Sequence, residues 1–346
     1  MKHQTTRHGE IPFYKIGTFG NTADAFISKK LFLEYKTKYS FPKKGDILIS
    51  ASGTIGRAVI YDGKPAYFQD SNIVWIDNDE TLVKNDFLFY AYSNVKWNTE
   101  HTTILRLYND NFRNTLIPLP PLNEQSAIAD ILSGLDRYLC ALDALILKKE
   151  GVKKALSFEL LSQKKRLKGF NQAWQRVRLG DIANYLTSNL SAEQITQQGK
   201  IKVYDVNNFI GYTDTTFISD KPYISIVKDG SVGRVRILPP KTNILSTMGA
   251  LIANHRTTTE FLFYLLSNFD FKNFTSGSII PHIYFKDYKE KTIFLPPLNE
   301  QSAIANILST LDNEITSLKN KKRQFENIKK ALNHDLMSAK IRVLKK

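Results

Sequence analysis

The sequence has a single cysteine and no long apolar run. Cys140 has no second cysteine with which to form an internal disulfide, and this is typical of a protein from a reducing compartment. No stretch approaches the roughly 20 apolar residues of a membrane helix, and the opening MKHQTTRHGE has no apolar signal core. We therefore expect a cytoplasmic protein.

Acidic residues are too few to balance the basic ones. The chain of 346 residues has 48 Lys and Arg against 33 Asp and Glu, which gives a formal net charge of +15. This balance favours a polyanionic partner such as nucleic acid, although a merely basic soluble protein would show it too. A hydrophobic content of 42% excludes a disordered chain, and the length allows two domains of ordinary size.

The motifs of enzymes that modify or translocate DNA are absent as well. Adenine methyltransferases hold the flipped base with an Asn/Asp-Pro-Pro-Tyr loop, whereas Pro-Pro occurs here only as Leu-Pro-Pro-Leu and Leu-Pro-Pro-Lys. No G-x-x-x-x-G-K-[ST] phosphate loop is present, and neither the aspartates nor the histidines have the spacing of a metal site. We predict no catalytic residues, no metal and no cofactor.

What the sequence does contain is an internal repeat. The segment LPPLNEQSAIADILSGLD, from Leu119 to Asp136, returns 176 residues later as LPPLNEQSAIANILSTLD, from Leu295 to Asp312. A second match, Lys-Lys-Ala-Leu at residues 153–156 and 329–332, keeps the same offset. The chain is therefore two copies of one unit, each a variable block followed by a helical block.

Each helical block predicts one long helix. Pro-Pro suits a helix start, and Asn123 or Asn299 can cap the first turn. Apolar residues then recur with heptad spacing, including Ile131, Leu145 and Val152 in the first copy. We expect helices of about 40 residues that begin near residues 123 and 299 and pair as an antiparallel coiled coil. The alternative is that each helix packs only on its own globular block.

The near-identity of the two helix starts also predicts a protein-binding surface. The same surface presented twice suits a partner that binds twice. The candidate partner-binding residues are Asn123, Glu124, Gln125, Asn299, Glu300 and Gln301.

The variable blocks share landmarks rather than sequence. Residues 43–61 and 221–238 both predict strand, turn, strand, and the turns are Gly53-Thr54-Ile55-Gly56-Arg57 and Gly230-Ser231-Val232-Gly233-Arg234. Glycine permits close backbone approach, a hydroxyl can donate to a phosphate, and arginine can hold a phosphate or a guanine edge. An ordinary hairpin turn with a solvated arginine would explain one copy, but two equivalent copies favour a functional role.

Further along each block lies an aromatic segment with the pattern of a core helix, at residues 86–94 and 260–268, followed by a polar segment rich in hydroxyls. Such side chains contact phosphates or base edges in DNA-binding proteins, although a loop histidine is often simply exposed. The candidate DNA-binding residues are Lys43, Lys44, Ser52, Thr54, Arg57, His101, Arg106, Ser231, Arg234, Arg256, Ser276, Ser278 and His282.

These landmarks resemble the specificity subunit of a type I restriction-modification system. The resemblance rests on the paired PLPPLNEQ segments, each opening a long helix after a variable block, and on the W-x-x-V-x-L-G-D-I-A pattern from Trp174 to Ala183. It implies a mixed α/β fold with two target-recognition domains built on twisted sheets, separated by two antiparallel helices about a pseudo-two-fold axis. The implied domains are 1–118 and 171–294 for recognition, with helical spacers at 119–170 and 295–346.

The resemblance also implies function and partners. Each recognition domain would read one half of an asymmetric, bipartite sequence in double-stranded DNA. The helical regions would fix the distance between the halves and bind two methylation subunits, and restriction/translocase subunits would join the full complex. The chain itself would have no catalytic activity.

One departure concerns the first recognition domain. The second domain opens with WQRVRLGDIANYLTSNL before its GKIKVYDV strand, whereas only MKHQTTRH precedes GEIPFYKIG, so about 20 residues of the expected opening segment are missing. Either the chain is a truncated or recombined gene product, or the segment is supplied from elsewhere in the fold. If the first domain does not bind DNA, the alternative function is that of a coiled-coil adaptor without full DNA specificity.

Overall fold

The computed structural model describes residues 4–69, 72–97 and 106–344. They form two compact units, the first of residues 1–143 with 320–346 and the second of residues 144–319. Each unit therefore combines one variable block with part of each helical block. The recognition-domain and spacer bounds given above remain a prediction.

In its described residues, the first unit has two small sheets and three short helices beside its parts of the two long helices. Its strands are β1 (Ile11–Tyr14), β2 (Ala25–Ile27), β3 (Ile47–Ser50), β4 (Ala58–Ile60), β5 (Tyr67–Phe68) and β6 (Ile73–Trp75), and its own helices are α1 (Lys29–Lys38), α2 (Asn85–Tyr92) and α3 (Asn109–Arg113). One sheet has the order β2-β1-β5, with β5 parallel to β1, and the other has the order β4-β3-β6 and is antiparallel.

Two long helices follow the two variable blocks. Helix α4 (Leu122–Leu161) starts at the first Pro-Pro segment, and helix α7 (Leu298–Met337) starts at the second; each has 40 residues. Both starts lie within one residue of the predicted positions.

The second unit repeats this plan with additional strands. Its strands and short helices are β7 (Gln175–Arg178), β8 (Ala183–Thr187), β9 (Ile201–Tyr204), β10 (Phe209–Thr213), β11 (Tyr223–Val227), β12 (Val235–Leu238), β13 (Thr242–Ile244), β14 (Met248–Ala253), α5 (Thr259–Ser267), β15 (Thr275–Ser276), β16 (His282–Ile283), α6 (Phe285–Tyr288) and β17 (Thr292–Leu295). Helix α7 (Leu298–Met337) begins in this unit and ends in the first. The sheet β10-β9-β13 matches β2-β1-β5, and β12-β11-β14-β8 matches β4-β3-β6 with one strand added at its edge. Strand β7 pairs with β17.

The long helices pair antiparallel within each unit. In the first unit Lys329 bonds to Asp136, and Lys322 Nζ lies 2.6 Å from Asp143 Oδ1. In the second unit Lys149 Nζ lies 2.5 Å from Glu314 Oε2, and Lys153 Nζ lies 2.5 Å from Asp312 Oδ1. Residue numbers rise along one helix as they fall along the other, which confirms the predicted antiparallel pairing.

Each helix pair also packs against the aromatic helix of its unit. In the first unit Phe87 and Tyr90 of α2 lie against Ile128 and Leu132 of α4 and against Leu336 of α7. In the second, Phe261 and Leu262 of α5 share a core with Ile304 and Leu308 of α7 and Leu160 of α4. Helix pairing and packing on the globular block, which the sequence presented as alternatives, therefore occur together.

Candidate nucleic-acid interface

The two glycine turns have the same backbone geometry. Gly53 and Gly56 connect β3 to β4 with φ of 69° and 81°, and Gly230 and Gly233 connect β11 to β12 with φ of 84° and 79°. A Cβ on Gly56 would lie 2.2 Å from Nε1 of Trp97, and a Cβ on Gly233 would lie 2.7 Å from Cδ2 of Phe271. Both the left-handed conformation and the close aromatic ring therefore require glycine.

The arginine that ends each turn is exposed, and one nitrogen of its guanidinium is hydrogen-bonded to a neighbouring loop. Arg57 Nη1 donates to the carbonyl oxygen of Phe19 at 3.0 Å, and Arg234 Nη2 donates to Oδ1 of Asn207 at 2.9 Å. Phe19 lies in the loop between the paired strands β1 and β2, and Asn207 lies in the loop between β9 and β10, the matching strands of the second unit. Within the described residues, the remaining N–H groups of each guanidinium make no hydrogen bond, so they can bind an anion or a base edge.

A short segment from the polar region pairs with the residue before each turn. Ser52 bridges to Arg106 in the first unit, and Asp229 bridges to His282 in the second. Leu107 N donates to the carbonyl of Ala51, and Ile283 N donates to that of Lys228, each at 2.9 Å. The fold thus brings Arg106 and His282 to corresponding positions beside the two arginine turns.

These corresponding positions carry different chemistry. His282 Nδ1 lies 2.7 Å from Asp229 Oδ1, and Lys228 Nζ lies 3.0 Å from Asp229 Oδ2. Burial opposes the charge on Asp229, but the hydrogen bonds from His282 and Lys228 outweigh it and hold the pKa of the carboxyl below its usual value. In the first unit the residue opposite exposed Arg106 is the buried, uncharged Ser52.

The other predicted DNA-binding residues are distributed more widely. Thr54 and Ser231 are exposed in their turns. Ser276 of β15 pairs with His282 of β16, and exposed Ser278 lies in the loop between these two strands. Their contact with DNA stays a prediction. His101 lies outside the described residues.

Three predicted residues lie away from the turns. Lys43 and Lys44 are exposed ahead of β3, at the opposite end of that strand from its turn, and Lys43 Nζ pairs with Asp77 at 3.0 Å. Arg256 lies just before α5, where its Nη2 donates to Gln175 and its carbonyl accepts from Gln301. The structure therefore does not bring these side chains together with the arginine turns.

Four of the predicted partner-binding residues are instead internal. Glu124, Gln125, Glu300 and Gln301 are buried. Gln125 binds the backbone of Leu82, Lys84 and Pro120, and Gln301 makes the matching bonds to Arg256, Thr258 and Pro296. This corrects the prediction that these four side chains face a partner, because they join each long helix to its own unit. Asn123 and Asn299 are exposed, and their role stays a prediction.

The buried glutamates have arginine partners that sequence reasoning missed. Glu124 accepts from Arg342, with Nη2 at 2.6 Å, and Glu300 accepts from Arg166, again with Nη2 at 2.6 Å. The carboxylate of Glu300 also accepts a hydrogen bond from Trp174 Nε1 at 3.0 Å. The signal was available in the sequence, since Arg166 and Arg342 have the same 176-residue offset as the repeated segments.

Comparison with known proteins identifies the family. The chain matches the family described as Type I restriction modification DNA specificity domain over residues 1–150 and 171–327, which is most of its length. The chain belongs to this type I specificity family. The match covers most of each unit and most of each long helix, as expected for a member of the type I specificity family built from an internal repeat.

Individual relatives and a solved structure support the membership. A type I restriction enzyme specificity subunit of Haemophilus influenzae is 65% identical over 137 residues, which are 39% of this chain and 36% of that protein, so the match spans about a third of that relative. The type I restriction enzyme MjaVIII specificity subunit of Methanocaldococcus jannaschii is 26% identical over 362 residues, covering 92% of this chain and 84% of its own. The crystal structure of the type I system S subunit from M. genitalium has a TM-score of 0.64 at 20% identity and covers 97% of this chain and 91% of that one. This last likeness shows the fold.

None of the helices in the described part of the chain combines the length and apolarity needed to cross a bilayer. Within the same residues, no group of three or more histidine, cysteine, aspartate or glutamate side chains is arranged to hold a metal ion.

Proposed function

We propose that this member of the type I specificity family reads an asymmetric, bipartite DNA sequence, one half with each arginine turn and its neighbouring strand. The observation that carries the proposal is the pair of sites with one backbone and different side chains. Gly53–Arg57 and Gly230–Arg234 repeat the same turn, while Ser52 and Arg106 in one unit stand where the other has Asp229 and His282.

The side-chain chemistry suits DNA reading. Arg57 and Arg234 supply N–H donors that match phosphate oxygens or the guanine major-groove edge. An exposed arginine at position 106 favours guanine, because two of its donors can meet O6 and N7 together. His282, whose Nδ1 is held by Asp229, presents only its Nε2 to a ligand, so the half read by the second unit should differ in sequence.

The net charge of +15 supplies the non-specific part of the affinity. Lysines and arginines that neutralise phosphates release counterions from the duplex, which makes binding depend strongly on salt. Base contacts then discriminate, at roughly 1–3 kcal/mol for each good bidentate pair.

We further propose that the chain acts as the non-catalytic subunit of a complex. Two methylation subunits would dock on the exposed faces of the helix starts, where Leu122 and Asn123 in one copy match Leu298 and Asn299 in the other. Restriction/translocase subunits would complete the assembly, and the chemistry on DNA would belong to these partners.

The test is a selection from random duplex DNA by the chain reconstituted with the methylation subunits of a type I restriction-modification system. The expected product is a gapped motif whose two halves differ. Binding without sequence preference would contradict the proposal and favour the alternative function, a coiled-coil adaptor. Methyl transfer or cleavage by the isolated chain would contradict the non-catalytic role.

A further inference from the structure

Trp174 and the strand that follows it complete the core of the second unit. The Trp174 side chain is 8% exposed and packs in one core with Leu160, Leu295 and Ile304, while its Nε1 donates to buried Glu300. Farther along the same segment, Leu179 and Ile182 are completely buried in that core. One short stretch of sequence, WQRVRLGDI, therefore inserts three apolar anchors into the unit.

The first unit has a cavity where Trp174 sits in the second. This cavity of about 250 Å³ is lined by Leu119, Glu124, Ile128, Leu336 and Arg342, among others. Each of these five residues has a counterpart 176 positions away in the second unit. The counterparts share the Trp174 core or form the Glu300–Arg166 pair beside it, and they are, in the same order, Leu295, Glu300, Ile304, Leu160 and Arg166. Among the described residues, the side-chain donors to the Glu124 carboxylate come from Arg342 alone, whereas Glu300 also accepts from the tryptophan.

A second cavity matches the positions of Leu179 and Ile182. It has a volume of about 210 Å³ and is lined by Leu88, Tyr92, Trp97, Phe112 and Ile117, among others. Their counterparts Leu262, Leu266, Phe271, Tyr288 and Ile293 form one core with Leu179 and Ile182 in the second unit. The lining residues of the two cavities therefore correspond to those that form one core with Trp174, Leu179 and Ile182 of a single segment.

Backbone groups are also available along this path. In the second unit β8 pairs with the edge of β14, and β7 pairs with β17. In the first unit, within the described residues, the corresponding edge of β6 pairs with no strand and residues 115–121 form none. Leu116, 93% exposed, and Leu119, 50% exposed, lie in residues 115–121, the segment that corresponds to β17.

We propose that the first unit is a docking site for a β-strand segment of another polypeptide with the pattern W-x-x-V-x-L-x-x-I. The tryptophan enters the cavity beside Glu124 and donates its Nε1–H to that carboxylate. The leucine and isoleucine fill the second cavity, and the backbone adds a strand to the edge of β6, a mode of recognition in which main-chain bonds give affinity and side-chain pockets give specificity. This proposal does not depend on DNA reading.

The test uses the full chain and a fluorescein-labelled peptide with the sequence of residues 172–187, QAWQRVRLGDIANYLT. We expect saturable binding by fluorescence anisotropy. A peptide with the tryptophan replaced by alanine should bind at least tenfold more weakly, because it loses both the buried ring and the bond to Glu124. Absence of saturable binding, or equal binding of the alanine peptide, would overturn the proposal.

A matched pair of protein variants locates the site. Leu119→Arg places a charge at the mouth of the tryptophan cavity and should abolish peptide binding, whereas Leu82→Arg, at an exposed leucine that lines neither cavity, should leave it unchanged. Leu119 is half exposed, so both variants are expected to fold, which circular dichroism verifies.

Hydrogen exchange provides a second, independent readout. Bound peptide should protect residues 73–76 and 116–120 of the first unit. Protection confined to the second unit would overturn the proposal. So would a chain that self-associates in sedimentation and excludes the peptide, because the surface would then belong to a second copy.

Discussion

Arg57 and Arg234 occupy the last positions of two turns that only glycine can form. One guanidinium nitrogen of each is tied to a neighbouring loop, so the side chain loses less conformational entropy when it binds a ligand than a free arginine would. A held arginine beside an exposed hydroxyl, Thr54 or Ser231, makes a small, preorganised donor surface.

Removing either arginine should weaken DNA binding. We expect Arg57→Ala and Arg234→Ala each to raise the Kd of the reconstituted complex by about tenfold, within the 1–3 kcal/mol of one arginine contact. Titration of labelled target DNA at fixed salt measures the change. Lys340→Ala, at an exposed lysine that bonds to Asp335, is the control and should have little effect. Unchanged affinity in both arginine variants would remove the turns from the DNA contacts.

At the scale of the elements, each long helix is joined to its unit by the same buried contacts. Glu124 with Arg342 and Glu300 with Arg166 hold the helix starts to the segments that follow the helix ends. Twelve residues farther along each long helix, Tyr90 donates to Asp136 in the first unit and Tyr264 donates to Asp312 in the second. Burial, together with these aspartates, raises the pKa of both tyrosines, so their hydroxyls remain hydrogen-bond donors.

Loss of Glu300 should destabilise the second unit strongly. Glu300→Ala leaves both Arg166 and the Nε1–H of Trp174 without their acceptor, and breaking a buried pair of this kind costs about 3–5 kcal/mol. Glu124→Ala, the matched variant, removes an acceptor from Arg342 alone and should cost less. Urea unfolding followed by circular dichroism compares the two, and a larger loss for Glu124→Ala would contradict this reasoning.

Much of this organisation was predictable from the sequence. The repeat located both long helices to within a residue, because Pro-Pro and the capping asparagine are local signals. The glycines and alternating apolar residues likewise predicted strands β3, β4, β11 and β12 on either side of the two turns. Local chemistry determines these features, so a single sequence is enough to find them.

The faces of the helices were harder to predict. Heptad spacing placed Ile131, Leu142 and Leu145 in the helix seam, and Leu142 is buried, but Ile131 and Leu145 are 40% and 39% exposed. Ile128 and Leu132, which the heptad did not include, are buried. A heptad assumes one partner helix, whereas α4 in the first unit also packs against α2, which shifts the buried face. Glu124 and Glu300 were misassigned for a related reason: identity between repeats arises from a contact made twice inside the chain as readily as from a partner bound twice.

The pairing of Arg106 with the first turn and His282 with the second was not predictable. Each depends on a bridge between residues more than 50 positions apart, which no local pattern specifies. The sequence supplied the candidate residues, and only the fold showed that they occupy corresponding positions.

At the scale of the whole molecule, duplication separates two tasks. Repeated residues, such as the buried glutamates and their arginines, maintain the same scaffold in each unit. Divergent residues, such as Arg106 against His282, lie beside the turns proposed to read DNA. A protein with two such readers should recognise two half-sites that differ in sequence.

The most direct measurement is the target motif of three reconstituted complexes, obtained by sequencing DNA selected by the wild-type chain, by Arg106→His and by His282→Arg. If each unit reads its own half-site, each substitution should change the base preference in one half of the motif and leave the other half intact. The half that changes should differ between the two variants. Substitutions that alter both halves together, or that leave both motifs identical to the wild-type motif, would contradict this prediction.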